Sequence, residues 1–239
     1  MGISGTDESP FAPHAVIKIP PMDLALELNN SSSEKTPRWK RRKESRPQEL
    51  LEAALSLFAH HGYAQTRLDD VAAQAGVSKG TVYLYFASKQ DLFEAVVQAQ
   101  AHPWLSTISE KKLPDHQSTE QALREFLTWG WEQFVASKLY LIARVVLAES
   151  NNFPSLAKAY LVEVMGPVHR YLHFVLERGV ARGEVSGEVS RERVKAMLAP
   201  LSWFSLWRQA LLAHGEPPIN EDRYIREAID MIIHSVARR

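Results

Sequence analysis

The stretch Thr66-Arg67-Leu68-Asp69-Asp70-Val71-Ala72-Ala73-Gln74-Ala75-Gly76-Val77-Ser78-Lys79-Gly80-Thr81-Val82-Tyr83-Leu84-Tyr85-Phe86-Ala87-Ser88-Lys89 spells two short helices, a tight turn and the start of a third. Leu68, Val71, Ala72 and Ala75 fall at i, i+3, i+4 and i+7, the apolar stripe of a helix lying on a core. Thr66 or Arg67 begins it. Gly76 stands where a left-handed residue closes such a helix, and Ser78 supplies the side-chain acceptor that caps the next one. Val77 and Val82 have the spacing of a hydrophobic staple, and Ser88 with Asp91 that of a capping box. The pattern is a helix-turn-helix.

At about 100° per residue, Val82 and Phe86 share the inward side of the second helix, while Gly80, Thr81 and Leu84 share the outward one, flanked by Tyr83 and Tyr85. The small-residue start at Ser78, Gly80 and Thr81 lets this helix come close to another molecule. Lys79 and the two tyrosine hydroxyls can reach phosphate oxygens, and Leu84 can lie on a thymine methyl. Such a face suits the DNA major groove. The competing reading is a three-helix packing unit with a few exposed tyrosines, which leaves the coincidence of turn glycine, staple and caps unexplained.

The run from Gly62 through Thr66, then Ala75 to Phe86 and Ser88-Lys89-Gln90-Asp91-Leu92, resembles the DNA-binding signature of TetR-type bacterial transcriptional regulators. The match spans Pro47 to about Ala101. Beyond it the likeness is one of architecture and of loose patterns such as Glu149-Ser150 before Phe153-Pro154. The resemblance implies an all-α homodimer whose three N-terminal helices bind a palindromic operator and whose C-terminal helices hold a ligand pocket and the dimer interface. Most such proteins are repressors released from DNA by a small molecule. By match of position, Thr66 and Lys89 would contact phosphates, Lys79, Gly80, Thr81 and Leu84 would face bases, and Tyr83 and Tyr85 would flank them. With Arg67 and Ser78 these complete the expected DNA-binding set. Leu84 departs from the polar or aromatic residue often found at its position.

The chain of 239 residues is long enough for a DNA-binding unit plus one larger core. It has no cysteine, which removes disulfides and thiolate chemistry and fits a reducing cytoplasm. Lys plus Arg and Asp plus Glu both number 28, so any attraction to DNA has to be local. Residues 38 to 100 carry nine Lys/Arg against seven acids, whereas the first 37 carry two against five. No apolar run approaches the roughly 20 residues needed to cross a bilayer, and Lys18, Pro20, Pro21 and Asp23 interrupt any leader-like segment. A soluble, cytoplasmic protein with no membrane partner is expected.

Residues 1–45 read as a disordered tail ending in a basic arm, with a short apolar patch at Leu24 to Leu28 that could fold on a partner. In Arg38-Trp39-Lys40-Arg41-Arg42-Lys43-Glu44-Ser45-Arg46 six of nine residues are cationic. The arm either trails into a minor groove or along phosphates, or is a solvated linker that raises nonspecific affinity. Residues 46–101 form the expected DNA-binding domain, its first helix starting at Pro47 and carrying Leu51, Ala54, Leu55 and Phe58 inward. A fourth helix from Lys89 should stop near His102-Pro103. Residues 102–239 form the expected effector-binding and dimerisation domain. Its helices should run from Ser118 or Thr119 to Ala136, from a Ser137 cap to Glu149, and from Pro154 to Arg182 with a kink at Gly166-Pro167. Two more should run from Ser190 to Ala213, interrupted at Pro200, and from an Asn220 cap to Arg238. No useful β-alternation appears, so the class is all-α.

The last two helices carry more apolar residues than one buried stripe needs, among them Ile229 and Ile232, and a second buried face implies a second subunit. Trp104, Phe126, Trp129, Phe134, Tyr140, Arg144, Phe153, Tyr160, Met165, His169, His173, Trp203 and Trp207 are candidates for a chamber wall. Rings with few fixed charges suggest an apolar or aromatic effector. Ordinary core packing accounts for any one of these rings. No metal or cofactor is expected: the adjacent His60 and His61 diverge by about 100°, and His169 and His173, one turn apart, lack a third ligand. A constitutive architectural DNA-binding protein is the alternative to a ligand-responsive regulator, and a helical metalloenzyme using His169/His173 is the outsider.

Overall fold

The structure is a computed structural model, and it describes residues 38–110, 113–210, 215, 217 and 219–237. The expected tail over residues 1–37 lies outside the described residues. The chain divides after Ser45 into two compact units. Described residues form α1 (Arg38–His61), α2 (Leu68–Gln74), α3 (Lys79–Tyr85), α4 (Lys89–Glu110), α5 (Thr119–Ala136), α6 (Leu139–Glu149) and α7 (Pro154–Tyr160). A π turn over Leu161–Met165 follows, then α8 (Gly166–Ala181), α9 (Arg191–Ala210) and α10 (Glu221–Val236). The only strand-like pairing among them is an isolated bridge of Val185 with Ala237, and the fold is all-α.

Local signals in the sequence account for most helix ends. Ser118 caps α5, accepting from the Gln121 amide at 3.2 Å, while Gln121 reaches back to the Ser118 amide at 3.1 Å. Asn220 caps α10 by accepting from the Arg223 amide at 2.8 Å. Ser137, in contrast, closes α5 instead of opening α6. Lys138 makes the corner in a left-handed conformation at φ 58°.

Prolines end fewer helices than expected. Pro47, Pro103 and Pro200 all lie inside helices, so α1 already starts at Arg38 and α4 continues to Glu110. Each proline forfeits one backbone bond and crowds the preceding turn, at a cost of about 3 kcal/mol. Burial on both sides outweighs this in α4, where Ala101, Trp104 and Ile108 are buried around Pro103. Pro167 has a different effect: the Gly166 amide bonds the Leu161 carbonyl five residues back, and the expected kink is a π turn.

α5 packs on α8 and α10, α4 packs on α7 and the π turn, and α9 lies against α8 and α10. The apolar stripe of α10, from Ile225 through Ala228, Ile229, Ile232, Ile233 and Val236, is buried within the chain itself. The second buried face expected of α10 is therefore not there; its isoleucines belong to the protomer core. Large apolar side chains left outward on the last two helices are Trp203 on α9 and Met231 on α10, each 62% exposed.

Candidate nucleic-acid interface

The reading head is built from α1 to α3 and the start of α4. Phe58, Tyr63 and Phe93 form its centre, with ring centroids 5.3 to 5.7 Å apart, and Val71, Ala72, Val82 and Leu92 close around them. α2 begins after Arg67, whose amide donates to the Asp70 carboxylate at 2.9 Å. It ends in a Schellman motif: the Val77 amide bonds the Ala72 carbonyl at 2.9 Å and the Gly76 amide bonds Ala73 at 3.2 Å. Gly76 sits at φ +64° in open space, so its backbone conformation alone demands glycine. Ser78 then caps α3, accepting from the Thr81 amide at 3.3 Å, and its Oγ lies 2.9 Å from Thr81 Oγ1. Ser88 Oγ accepts from the Asp91 amide at 3.1 Å to start α4.

With the turn fixed, Val82 is buried and the opposite side of α3 is bare. Leu84 is 82% exposed, Tyr83 and Tyr85 stand exposed on either side, and Ser78, Lys79 and Gly80 are exposed with them, while Thr81 is half-buried. Arg67 is also exposed. Lys79 Nζ donates to Asp69 on α2 at 2.9 Å, and that carboxylate raises its pKa.

Thr66 and Lys89 do not share that surface. Thr66 is 2% exposed, and its hydroxyl donates to the Gly62 carbonyl at 2.8 Å. Lys89 Nζ donates to the carbonyls of Tyr63, Ala64 and Thr66 at 2.7, 3.1 and 3.0 Å and lies 4.5 Å from the Tyr63 ring centroid. Its three protons are thus spent on the loop between α1 and α2, and desolvation lowers its pKa. In the free chain both side chains hold this loop.

The aromatic candidates divide into two groups. Trp104, Trp129, Phe126 and Tyr171 form an inner chain between α4, α5 and α8, with successive centroids 6.2, 6.4 and 4.3 Å apart. Trp104 and Tyr171 are buried, yet Trp104 Nε1 and the Tyr171 hydroxyl have no hydrogen-bond partner. Trp207 and Phe134 join a second cluster with Trp131, Phe204 and Tyr224, which ties α5 to α9 and α10. Tyr140 lies under the Arg208 guanidinium. Burial pushes the Tyr160 phenol pKa well up.

Three expected wall residues lie elsewhere. Trp203 points out of the protomer, Arg144 reaches the Ala59 carbonyl at the end of α1, and His173 sits 3.4 Å from Glu177 at the surface. His169 keeps a buried, unpartnered Nε2, and burial together with Lys195 lowers its pKa. Among the described residues no group of three or more His, Cys, Asp or Glu could hold a metal ion. An open surface depression of about 300 Å³ lies on the head, between Glu49, Glu52 and Ala53 of α1 and Gln74 and Ala75.

The fold and the bare reading helix define an all-helical helix-turn-helix DNA-binding protein. Residues 50–96 match the family described as bacterial regulatory proteins, tetR family, and residues 113–232 match the tetracyclin repressor-like C-terminal domain. The chain belongs to the TetR family of transcriptional regulators. It is 33% identical over 88 residues to the uncharacterized HTH-type transcriptional regulator YfiR of Bacillus subtilis, which covers 37% of this chain and 42% of that one. It is 27% identical over 204 residues to the HTH-type transcriptional regulator TtgR of Pseudomonas putida, covering 82% of this chain and 95% of that one. The fatty acid degradation regulator FadR of Bacillus halodurans shares the fold at a TM-score of 0.63 and 18% identity, over 79% of this chain and 94% of that structure. Among the described residues no helix is long and apolar enough to cross a membrane.

Proposed function

We propose that this regulator is a cytoplasmic homodimeric repressor that holds a palindromic operator and lets go when a small apolar or aromatic molecule binds. The observation that carries the reading is α3: its inward side is fixed by Val82 and the Schellman turn, while Leu84 and two tyrosines stand in solvent with nothing to cover them. Leu84 reads a base edge, Gly80 lets the helix come close to the groove floor, Tyr83, Tyr85, Arg67 and the Ser78–Thr81 turn flank them on the backbone, and Lys79 exchanges Asp69 for DNA. The dimer closes through the outward sides of α9 and α10, around Trp203 and Met231. The effector lodges among Trp104, Phe126, Trp129 and Tyr171. Two buried donors without partners in one aromatic cluster favour a ligand that brings a hydrogen-bond acceptor.

A constitutive architectural protein draws on one observation, that this inner cluster is packed shut, with Trp104 5% and Phe126 3% exposed. One experiment separates the two readings. DNA fragments retained by the purified protein are sequenced to define the operator, and aromatic ketones and hydrocarbons are then screened for its release. Release by ketones that weakens in Tyr171→Phe supports the switch. Failure to retain a common sequence defeats operator binding, and retention without any release leaves the constitutive reading.

A further inference from the structure

The loop from Gly62 to Arg67 carries the chain from α1 into the reading head, and side chains from the far helices grip it. Glu149 at the end of α6 accepts from the Ala64 amide through Oε1 at 3.1 Å. Arg144, one turn and a half earlier on α6, donates to the Ala59 carbonyl in the last turn of α1. Phe153, just beyond α6, meets the Tyr63 ring edge-on at 4.9 Å. Gly62 lies at φ +82°, and a Cβ there would stand 2.8 Å from Glu149 Oε1. The glycine thus serves two needs, a left-handed backbone and room for the carboxylate. On its inner side α6 buries Leu139, Ile142, Val145 and Val146 in the core of the C-terminal helices. One helix therefore has its buried face in that core and its outer edge on the head.

We infer that Glu149 and Arg144 are positioning residues for DNA binding, which lock the α1–α2 loop to α6 so that a shift of α6 reaches the recognition helix directly as well as through α4. This rests on the operator-binding reading above. Neither side chain is near the exposed face of α3, so neither touches DNA in this role. Their effect passes through the loop, whose carbonyls Lys89 collects from the other side. A displaced α6 end withdraws the acceptor from the Ala64 amide and frees the entrance to α2, where the Arg67–Asp70 bond sets the first turn.

The test uses the full chain and the operator fragment recovered with the parent. In Glu149→Ala, hydrogen exchange at the Ala64 amide and its loop neighbours accelerates. Operator affinity falls roughly tenfold, the equivalent of about 1.4 kcal/mol, while affinity for random duplex holds and circular dichroism shows the chain still folded at the assay temperature. Glu149→Gln keeps an acceptor oxygen in place and stays within about twofold of the parent. Arg144→Ala, at an exposed position, lowers operator affinity in the same sense. Parent-like operator affinity and loop exchange in Glu149→Ala would overturn the inference, as would a Glu149→Gln variant as weak as Glu149→Ala. A parent that binds no particular DNA sequence defeats the operator-binding reading instead, and the exchange measurement then still decides the grip.

Discussion

Leu84 stands 82% exposed between two tyrosines, an expensive place for an isobutyl group unless a complex covers it. Leu84→Ala is expected to relax discrimination at one base pair by about 1 to 3 kcal/mol and to leave binding to random duplex unchanged. Titrations on matched and random DNA check this; equal losses on both would remove Leu84 from base reading. Lys89→Ala should act otherwise, lowering stability by about 1 to 2 kcal/mol through three carbonyls that lose their donor and a ring that loses its cation. A thermal melt with no shift would contradict it. The spacing of Ser88-Lys89 was legible as a helix start, but where a lysine's four-carbon stem curls depends on oxygens that only the folded loop brings together. His169 adds a pH dependence. Its native pKa lies below the ordinary value near 6.5, so the stability it contributes is present above that value. As pH falls through 6.5 the unfolded imidazole takes up a proton that the native one refuses, and stability is lost. Melting temperatures at pH 7.5 and 5.5 should differ less in His169→Gln than in the parent.

Helix ends written by side-chain caps were readable in advance, because a cap is a bond between neighbours and needs nothing from the rest of the chain. Asn220 is the cleanest case: Asn220→Ala should cost about 1 kcal/mol, read as a lowered melting temperature, by orphaning the Arg223 amide at the start of α10. An unchanged melt would show that the first turn frays without cost. The prolines misled for the complementary reason. Whether Pro103 ends a helix depends on what lies beyond it, and Trp104 and Ile108 find a core there that outweighs the lost bond. Ser137 also satisfies the cap rule by type, yet the corner at Lys138 is so short that the serine has to finish α5. Pro167 produced a change of register where a bend was expected, since Gly166 can still donate five residues back.

At the scale of the whole molecule, apolar excess on the last helices pointed to a second subunit, but not to the residues that would meet it. Ile229 and Ile232 fill the protomer, packed toward α5 and α9, so Ile229→Asp should unfold the chain through an unpaired buried charge. Trp203→Asp, placed on the outward side of α9, should leave a folded monomer with weak operator binding. Sedimentation with circular dichroism distinguishes them, and a Trp203→Asp dimer of full stability would defeat this interface. The rings of the middle and late helices were nameable, whereas their division into an inner and an outer cluster followed from α5 packing on α8 and on α10, with Trp131 meeting Phe204 of α9, which no local spacing encodes. Removal of residues 1–45 takes away five of the six cations of the basic run and should flatten the salt dependence of DNA affinity. An identical slope would show that the run stays in solvent.

The pairing of Lys79 with Asp69 means that the reading head arrives at DNA with one of its cations already answered. If Lys79 turns onto the duplex as proposed, Asp69 is left beside the phosphates without its partner, and repulsion offsets part of what the contact gains. The net gain from that contact is then smaller than from a lysine that starts without a partner. Bulk DNA, which offers charge and little else, gains least from such an exchange. On the proposed reading, an acid on α2 would thereby weaken adhesion that rests on charge alone.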